Sequence, residues 1–182
     1  YAEAARNHPE SIQNQLGALR CLVLKGDWDK ALNLGRRIET RVGADSSFMA
    51  FVYSSRAIHA IVVEKNKDAA KDNLSLYDKV SNETETEKEI GFYEGLIAET
   101  IDGDLDAAEQ KFRDALAGSQ DRDHVVRCIK ALARIEKNRG EWTKVVDLLE
   151  QAARISPEDS SLQMDLADAF REAGENGKVE GP

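Results

Sequence analysis

The chain has 182 residues, 41% hydrophobic and 32% charged, with three prolines and a net charge of −9. That composition suits a soluble, foldable chain, long enough for one large domain or a short array of small units, and it favours helix throughout. It excludes a membrane span, since no stretch nears the roughly 18 uncharged apolar residues required, and its acidity makes nucleic acid a poor partner.

The opening residues, "YAEAARNHPES", hold no apolar run and no cleavage-type end, so they do not read as a signal peptide. Tyr1, Ala4 and Pro9 fit the end of a helix: an aromatic, a small residue three later, a proline five after that. Ile12 then begins a new helical segment that runs to "GDWDKAL" at Gly26. There Asp27 stands where a helix N-cap belongs, and its charge suits the positive end of the helix dipole. Trp28 and Ala31 lie on one face of the helix that follows.

The next segment, from about Ser46 to Glu64, is longer and contains "FMAFVYSSRAIHAIVV", which is apolar almost all round. A helix with one packed face needs only an apolar stripe about 100° wide. Val52, Val62 and Val63 therefore belong either to a tightly packed core or to an apolar floor for a partner. Lys65 follows where a turn glycine is expected, and the links at 41–45 and 81–86 carry extra residues.

The phrase returns as "GDLDAAE" at Gly103, followed by Ala108, Phe112 and Ala115, with Asp104 as the capping residue. It returns again as "GEWTKVV" at Gly140. Before it, Ile129, Leu132, Ala133 and Ile135 follow helical spacing to "KNRG", where Gly140 closes the helix in the left-handed conformation. Trp142, Val145, Leu148, Leu149 and Ala152 mark a second helix that "ISPED" stops. A worn copy, "GENGKVE", begins at Gly174, where another turn and second helix are expected before Gly181 and Pro182 break off.

Gly26 and Gly103 are 77 residues apart, Gly103 and Gly140 37, and Gly140 and Gly174 34. Self-similarity at a period near 34 marks a helical solenoid, in which each unit buries its apolar face against its neighbours. Ala133, Gly140, Val145, Ala152 and Pro157, continued by Ala167, Phe170 and Gly174, resemble the signature of the tetratricopeptide repeat. The resemblance implies an all-α, right-handed superhelical solenoid of antiparallel helix pairs. Residues 1–11 would end a preceding repeat; 12–50, 51–88, 89–125 and 126–159 would be four repeats; 160–182 would be a partial fifth. No polar capping helix stands at either end, so a segment of a longer protein is expected.

In such arrays the first helices line a concave wall that takes a partner peptide or helix. On this register the first repeat presents Arg20. The second presents Val52, Arg56, His59, Val62 and Val63, the third Tyr93 and Ile97, and the fourth Arg127, Lys130, Arg134 and Lys137. Charge is segregated as well. Ten acids and one lysine lie between Ser81 and Glu109, whereas seven bases and three acids lie between Arg122 and Lys144. These are either solvated helix faces or an acidic edge beside a basic stripe, each orienting a partner. The carboxylate clamp of some co-chaperones of this class is absent, because Leu16, Arg20, Arg56 and Arg127 stand at the corresponding places.

No constellation for catalysis emerges. His8 reads as a surface turn residue beside Pro9. His124 and Cys128 share a helix face, but two ligands do not close a metal site. "GENGK" has the wrong spacing for a phosphate loop and follows no strand. Cys21 and Cys128 read as free thiols, and the Asn73 and Asn82 sequons as chance. The expectation is a non-catalytic protein–protein interaction scaffold without cofactor or metal, soluble, with cytoplasm and periplasm both open. Its alternatives are a regulatory or substrate-recruiting array of a larger enzyme, such as a transferase, and a self-associating homo-oligomeric assembly element.

Overall fold

The computed structural model describes residues 11–81 and 85–179. Tyr1, Ala4, His8, Pro9, Asn82, Gly181 and Pro182, invoked above, lie outside the described residues. Those described form nine helices and no strand: α1 (Ile12–Leu24), α2 (Trp28–Val42), α3 (Met49–His59), α4 (Lys67–Val80), α5 (Thr86–Ile97), α6 (Leu105–Leu116), α7 (Arg122–Arg139), α8 (Trp142–Ile155) and α9 (Ser160–Val179). They divide into two compact units. The first runs to Thr86 and includes Thr100–Asp102; the second holds Glu87–Glu99 and everything from Gly103 onward.

The turns account for part of the repeat's length beyond about 34 residues. After α1 and α7 the chain closes with a left-handed glycine, Gly26 at φ 70° and Gly140 at φ 79°. In both, an amide reaches back five residues, Asp27 to the Leu22 carbonyl and Glu141 to that of Glu136. After α3 and α5 the helix first widens into a π-helical turn, Ala60–Glu64 and Ala98–Asp102. There the closing amide reaches back six residues, Asn66 to Ala60 and Asp104 to Ala98, both at 2.9 Å. Each π turn thus absorbs one extra residue without breaking the pattern. Asn66 and Asp104 then cap the next helix, accepting from the amides of Ala69 at 3.0 Å and Ala107 at 2.9 Å. Asp27 occupies the same place but bonds no amide there; its carboxylate takes the Lys30 ammonium at 2.6 Å.

Lys65 is the turn residue of the second repeat, left-handed at φ 53° without being glycine. Measured from these four turns, the fifth residue onward is Ala31, Ala70, Ala108 and Val145, all buried. These small residues let paired helices approach, while Leu74, Phe112 and Leu149 one turn later fill the space beyond. In the second unit one cluster joins Ile129 and Ala133 of α7, Val145, Leu149 and Ala152 of α8, and Leu162 and Ala169 of α9. Burying each large member is worth roughly 1.5–3 kcal/mol, and Leu149→Ala should cost about 2–5 kcal/mol.

One expected turn is absent. α9 continues through Gly174 to Val179, and Gly174 has open space around it. Asn176 stands where Trp142 follows Gly140, so the segment offers no apolar stripe to draw the chain back into a second helix.

Candidate functional site

The acidic and basic runs meet each other in the second unit. Glu89 of α5 binds Arg127 of α7, whose guanidinium also lies 5.1 Å from the Phe92 ring. One turn and more along, Arg134 grips Glu99 through two hydrogen bonds of 2.6 and 2.5 Å. Arg139, at the end of α7, takes Glu109 and Asp106 of α6 at 2.5 Å each and Glu136 of its own helix at 3.0 Å. Lys111 reaches Glu94 at 2.6 Å. Five of the ten acids of the acidic run are therefore paired inside the unit. Arg127 and Arg134, expected to face a partner, are held by carboxylates of the neighbouring helix.

Below them lies a buried polar junction. His124 is 1% exposed, with Nε2 3.1 Å from the Ala115 carbonyl and 3.4 Å from Cys128 Sγ. Its Nδ1 faces Arg127 Nη2 at 3.4 Å and Glu89 Oε1 at 3.6 Å. Burial opposes the imidazolium, but the hydrogen bonds with Cys128 and Glu89 outweigh it and push its pKa up to about 10. Burial likewise opposes the Glu89 carboxylate, yet His124 and Arg127 hold its pKa below the usual value. Cys128 and Glu89 approach opposite nitrogens of the ring, so they do not converge on one ion. Among the described residues no group of three or more His, Cys, Asp or Glu could hold a metal. Cys21 and Cys128 are free thiols.

Two cations of α7 remain less engaged, and they border a groove. Lys130 has only distant carboxylates, Asp165 at 3.8 Å and Asp159 at 4.0 Å, besides the Ser161 hydroxyl at 3.2 Å. Among the described residues no carboxylate pairs with Lys137, whose ammonium rests 5.7 Å from the centre of the Trp142 ring. Between α7 and α9, floored by α8, opens a cavity of about 540 Å³. Trp142, Val145 and Leu149 form its floor, with Ala133 and Ala169 at the sides. Its α9 wall carries Asp165, Asp168 and Glu172, with Arg171 taking Asp168 at 3.1 Å and Glu172 at 3.6 Å. The groove exists because its bordering helices meet α8 through alanines, which leave room that a larger side chain would fill.

The other expected contact residues scatter. Val52, Tyr93 and Ile97, expected to face a ligand, lie in the core, 1%, 5% and 3% exposed. Val52 packs against Gly35 of α2, its Cγ1 only 3.1 Å from where a Cβ on that glycine would stand. Arg56 is bound to Glu39 at 2.6 Å and lies 5.6 Å from the Tyr53 ring centre. His59 packs on Trp28, ring centres 5.4 Å apart, and faces Glu64 at 3.3 Å. Arg20, Val62 and Val63 are exposed, the valines by 47% and 49%. Of the expected set, Lys130, Arg134 and Lys137 line the groove. Trp142 and the α9 acids, which form floor and wall, are absent from the sequence reading of the groove, although Trp142 carries a signal in its likeness to Trp28.

No protein-family model matches the chain, and no curated protein matches it. The fold is similar to the crystal structure of a thermophilic TPR protein from Thermus thermophilus, with a TM-score of 0.60 at 19% identity. That match covers 93% of this chain and 86% of the other. The chain thus has the tetratricopeptide-type fold, an all-α architecture of repeated helix pairs. No helix of the described residues is long and apolar enough to cross a membrane.

Proposed function

We propose that this chain is a non-catalytic protein-interaction scaffold that seats a partner's segment in the groove between α7 and α9. The fold is one generally used for protein interaction, and fold alone specifies no partner. What carries the reading is the groove itself: about 540 Å³, with an apolar floor and charged walls. Cavities of roughly 300–1,000 Å³ with such lining are the usual size for ligand seats. No cofactor or metal enters this reading.

A photo-crosslinking amino acid at Asp168, on the groove wall, tests it against the same group at Asp147, exposed on α8. Crosslinks from position 168 to one contiguous segment of one protein are the expected result. Equal labelling from both positions, or none from 168, would refute it.

A second reading, self-association, is favoured by Met164 and Phe170 of α9, which are 70% and 51% exposed. Light scattering across a hundredfold range of concentration decides it, since a constant monomeric mass would rule it out.

A further inference from the structure

We infer, resting on that reading of the groove, that its occupant is a peptide segment pairing a bulky apolar side chain with an Asp or Glu side chain. The apolar group sits on Trp142, Val145 and Leu149, and the carboxylate on Lys137. The floor dictates the first half. Trp142 is half-buried and Val145 and Leu149 are buried, and all three line the cavity, so a large apolar side chain entering between Ala133 and Ala169 meets hydrocarbon on its underside.

The charges dictate the second half. Among the described residues, each charged group on the walls already has a partner of opposite sign, with one exception. Arg134 has Glu99, Arg171 has Asp168 and Glu172, and Asp165 has Lys130. Lys137 has the face of Trp142 in place of a carboxylate. A cation resting on an exposed ring gains less than one in a charge-assisted hydrogen bond. An incoming carboxylate therefore completes Lys137 without displacing anything, and Lys130, two helical turns back on the same face, adds a second positive neighbour. An incoming ammonium would have to compete with Arg171 or Lys130 for every acid available.

Panning a random dodecapeptide library, displayed internally so that no free terminus is offered, tests the inference on the intact chain. Recovered peptides are made with blocked ends, and their affinities measured for the native chain, Lys137→Gln and Lys137→Glu. Both changes lie at an exposed position, and circular dichroism confirms that the helices persist. The expected peptides carry Asp or Glu within a few residues of Leu, Phe or Trp. Their affinity should fall about tenfold or more with Lys137→Glu and less with Lys137→Gln, and weaken with salt. Binding should also shift the Trp142 emission in a Trp28→Phe background. Peptides rich in Lys or Arg, or indifferent to Lys137→Glu, that still shift Trp142 would overturn the carboxylate assignment and leave the groove reading standing. Peptides that leave Trp142 unmoved, or no recovered peptides, would overturn both.

Discussion

Arg134 and Glu99 lie 35 residues apart in the chain and are joined side by side, two guanidinium nitrogens on two carboxylate oxygens. The glutamate side chain is 9% exposed and the arginine 47%, so the pair sits at the edge of the interior. Removing the arginine alone strands a nearly buried carboxylate. Arg134→Met is expected to cost about 1–2 kcal/mol in urea denaturation, discounted for the half of the arginine that water already reaches. Glu99→Met added to it should recover part of that loss, since the stranded charge is then gone. Full additivity of the two changes would show that the pair contributes nothing.

His124 gives the second unit an alkaline weakness. Its folded pKa, about 10, stands above the roughly 6.5 of an unfolded histidine. Between those values the native state holds a proton that the unfolded chain has lost, so stability must fall as pH rises. Its contribution is fully present below about pH 6.5 and gone once pH has passed through about 10. Glu89 acts at the other end: its pKa is lowered in the fold, so its contribution is present above the ordinary carboxylate range and lost on acidification. The urea midpoint of the native chain should decline steadily from about pH 6.5 to about 10, and more steeply than that of His124→Gln. Parallel declines in the two proteins would place the imidazole outside the linkage.

How much of this was legible depends on which interaction each residue serves. Gly26, Gly103 and Gly140 announced the turns because a left-handed backbone all but demands glycine. Ala108, Phe112 and Ala115 could be laid over Val145, Leu149 and Ala152 because helix pairing needs small and large residues at fixed heights. The second repeat was harder, since Lys65 adopts the glycine conformation without being one and a π turn adds a residue before it. The charges misled for another reason. Read along the chain, the acidic and basic runs are either solvated helix faces or two surfaces that orient a partner, and neither reading pairs them with each other. Yet Glu89 to Arg127 is 38 residues and Glu99 to Arg134 is 35, each about one repeat. That spacing sets them at matching heights on successive first helices, so the pairing was readable once the period was applied to charge as well as to apolar residues. Reversing Arg127, Lys130 and Arg134 together would therefore press acids against Glu89 and Glu99 and disturb the fold along with the groove. Lys137 is the cleaner handle.

At Gly95 of α5 the chain leaves no room for a side chain against Phe112 of α6. A Cβ placed there would lie 2.6 Å from Phe112 Cε1 and 2.7 Å from Cδ1. Phe112 is itself fully buried, so its ring has little room to withdraw. Gly95→Ala is expected to destabilise by about 1–3 kcal/mol through overpacking, although alanine is the better helix former. Phe112→Leu on its own should also destabilise, but combined with Gly95→Ala the loss should be smaller than the sum. A thermal midpoint for Gly95→Ala equal to or above that of the native chain would contradict this close approach.

Lys65 presents the opposite case, a side chain where its absence would help. Its backbone stands at φ 53° and ψ 36°, in the left-handed region that costs a residue with a Cβ roughly 1–2 kcal/mol. Gly103 performs the same task after the equivalent π turn at φ 69°, with none of that cost. Glycine gives back part of the advantage through the greater freedom of the unfolded chain. Lys65→Gly is therefore expected to raise stability by about 0.5–1 kcal/mol, and Gly103→Ala to lower it by about 1 kcal/mol. Lys65 is exposed and forms no ion pair among the described residues, so loss of its charge should contribute little. Urea titrations of the two variants decide the matter together. Opposite signs would establish that the two turns share one backbone requirement, whereas destabilisation by Lys65→Gly would mean that the lysine side chain supports its turn by some contact beyond the backbone.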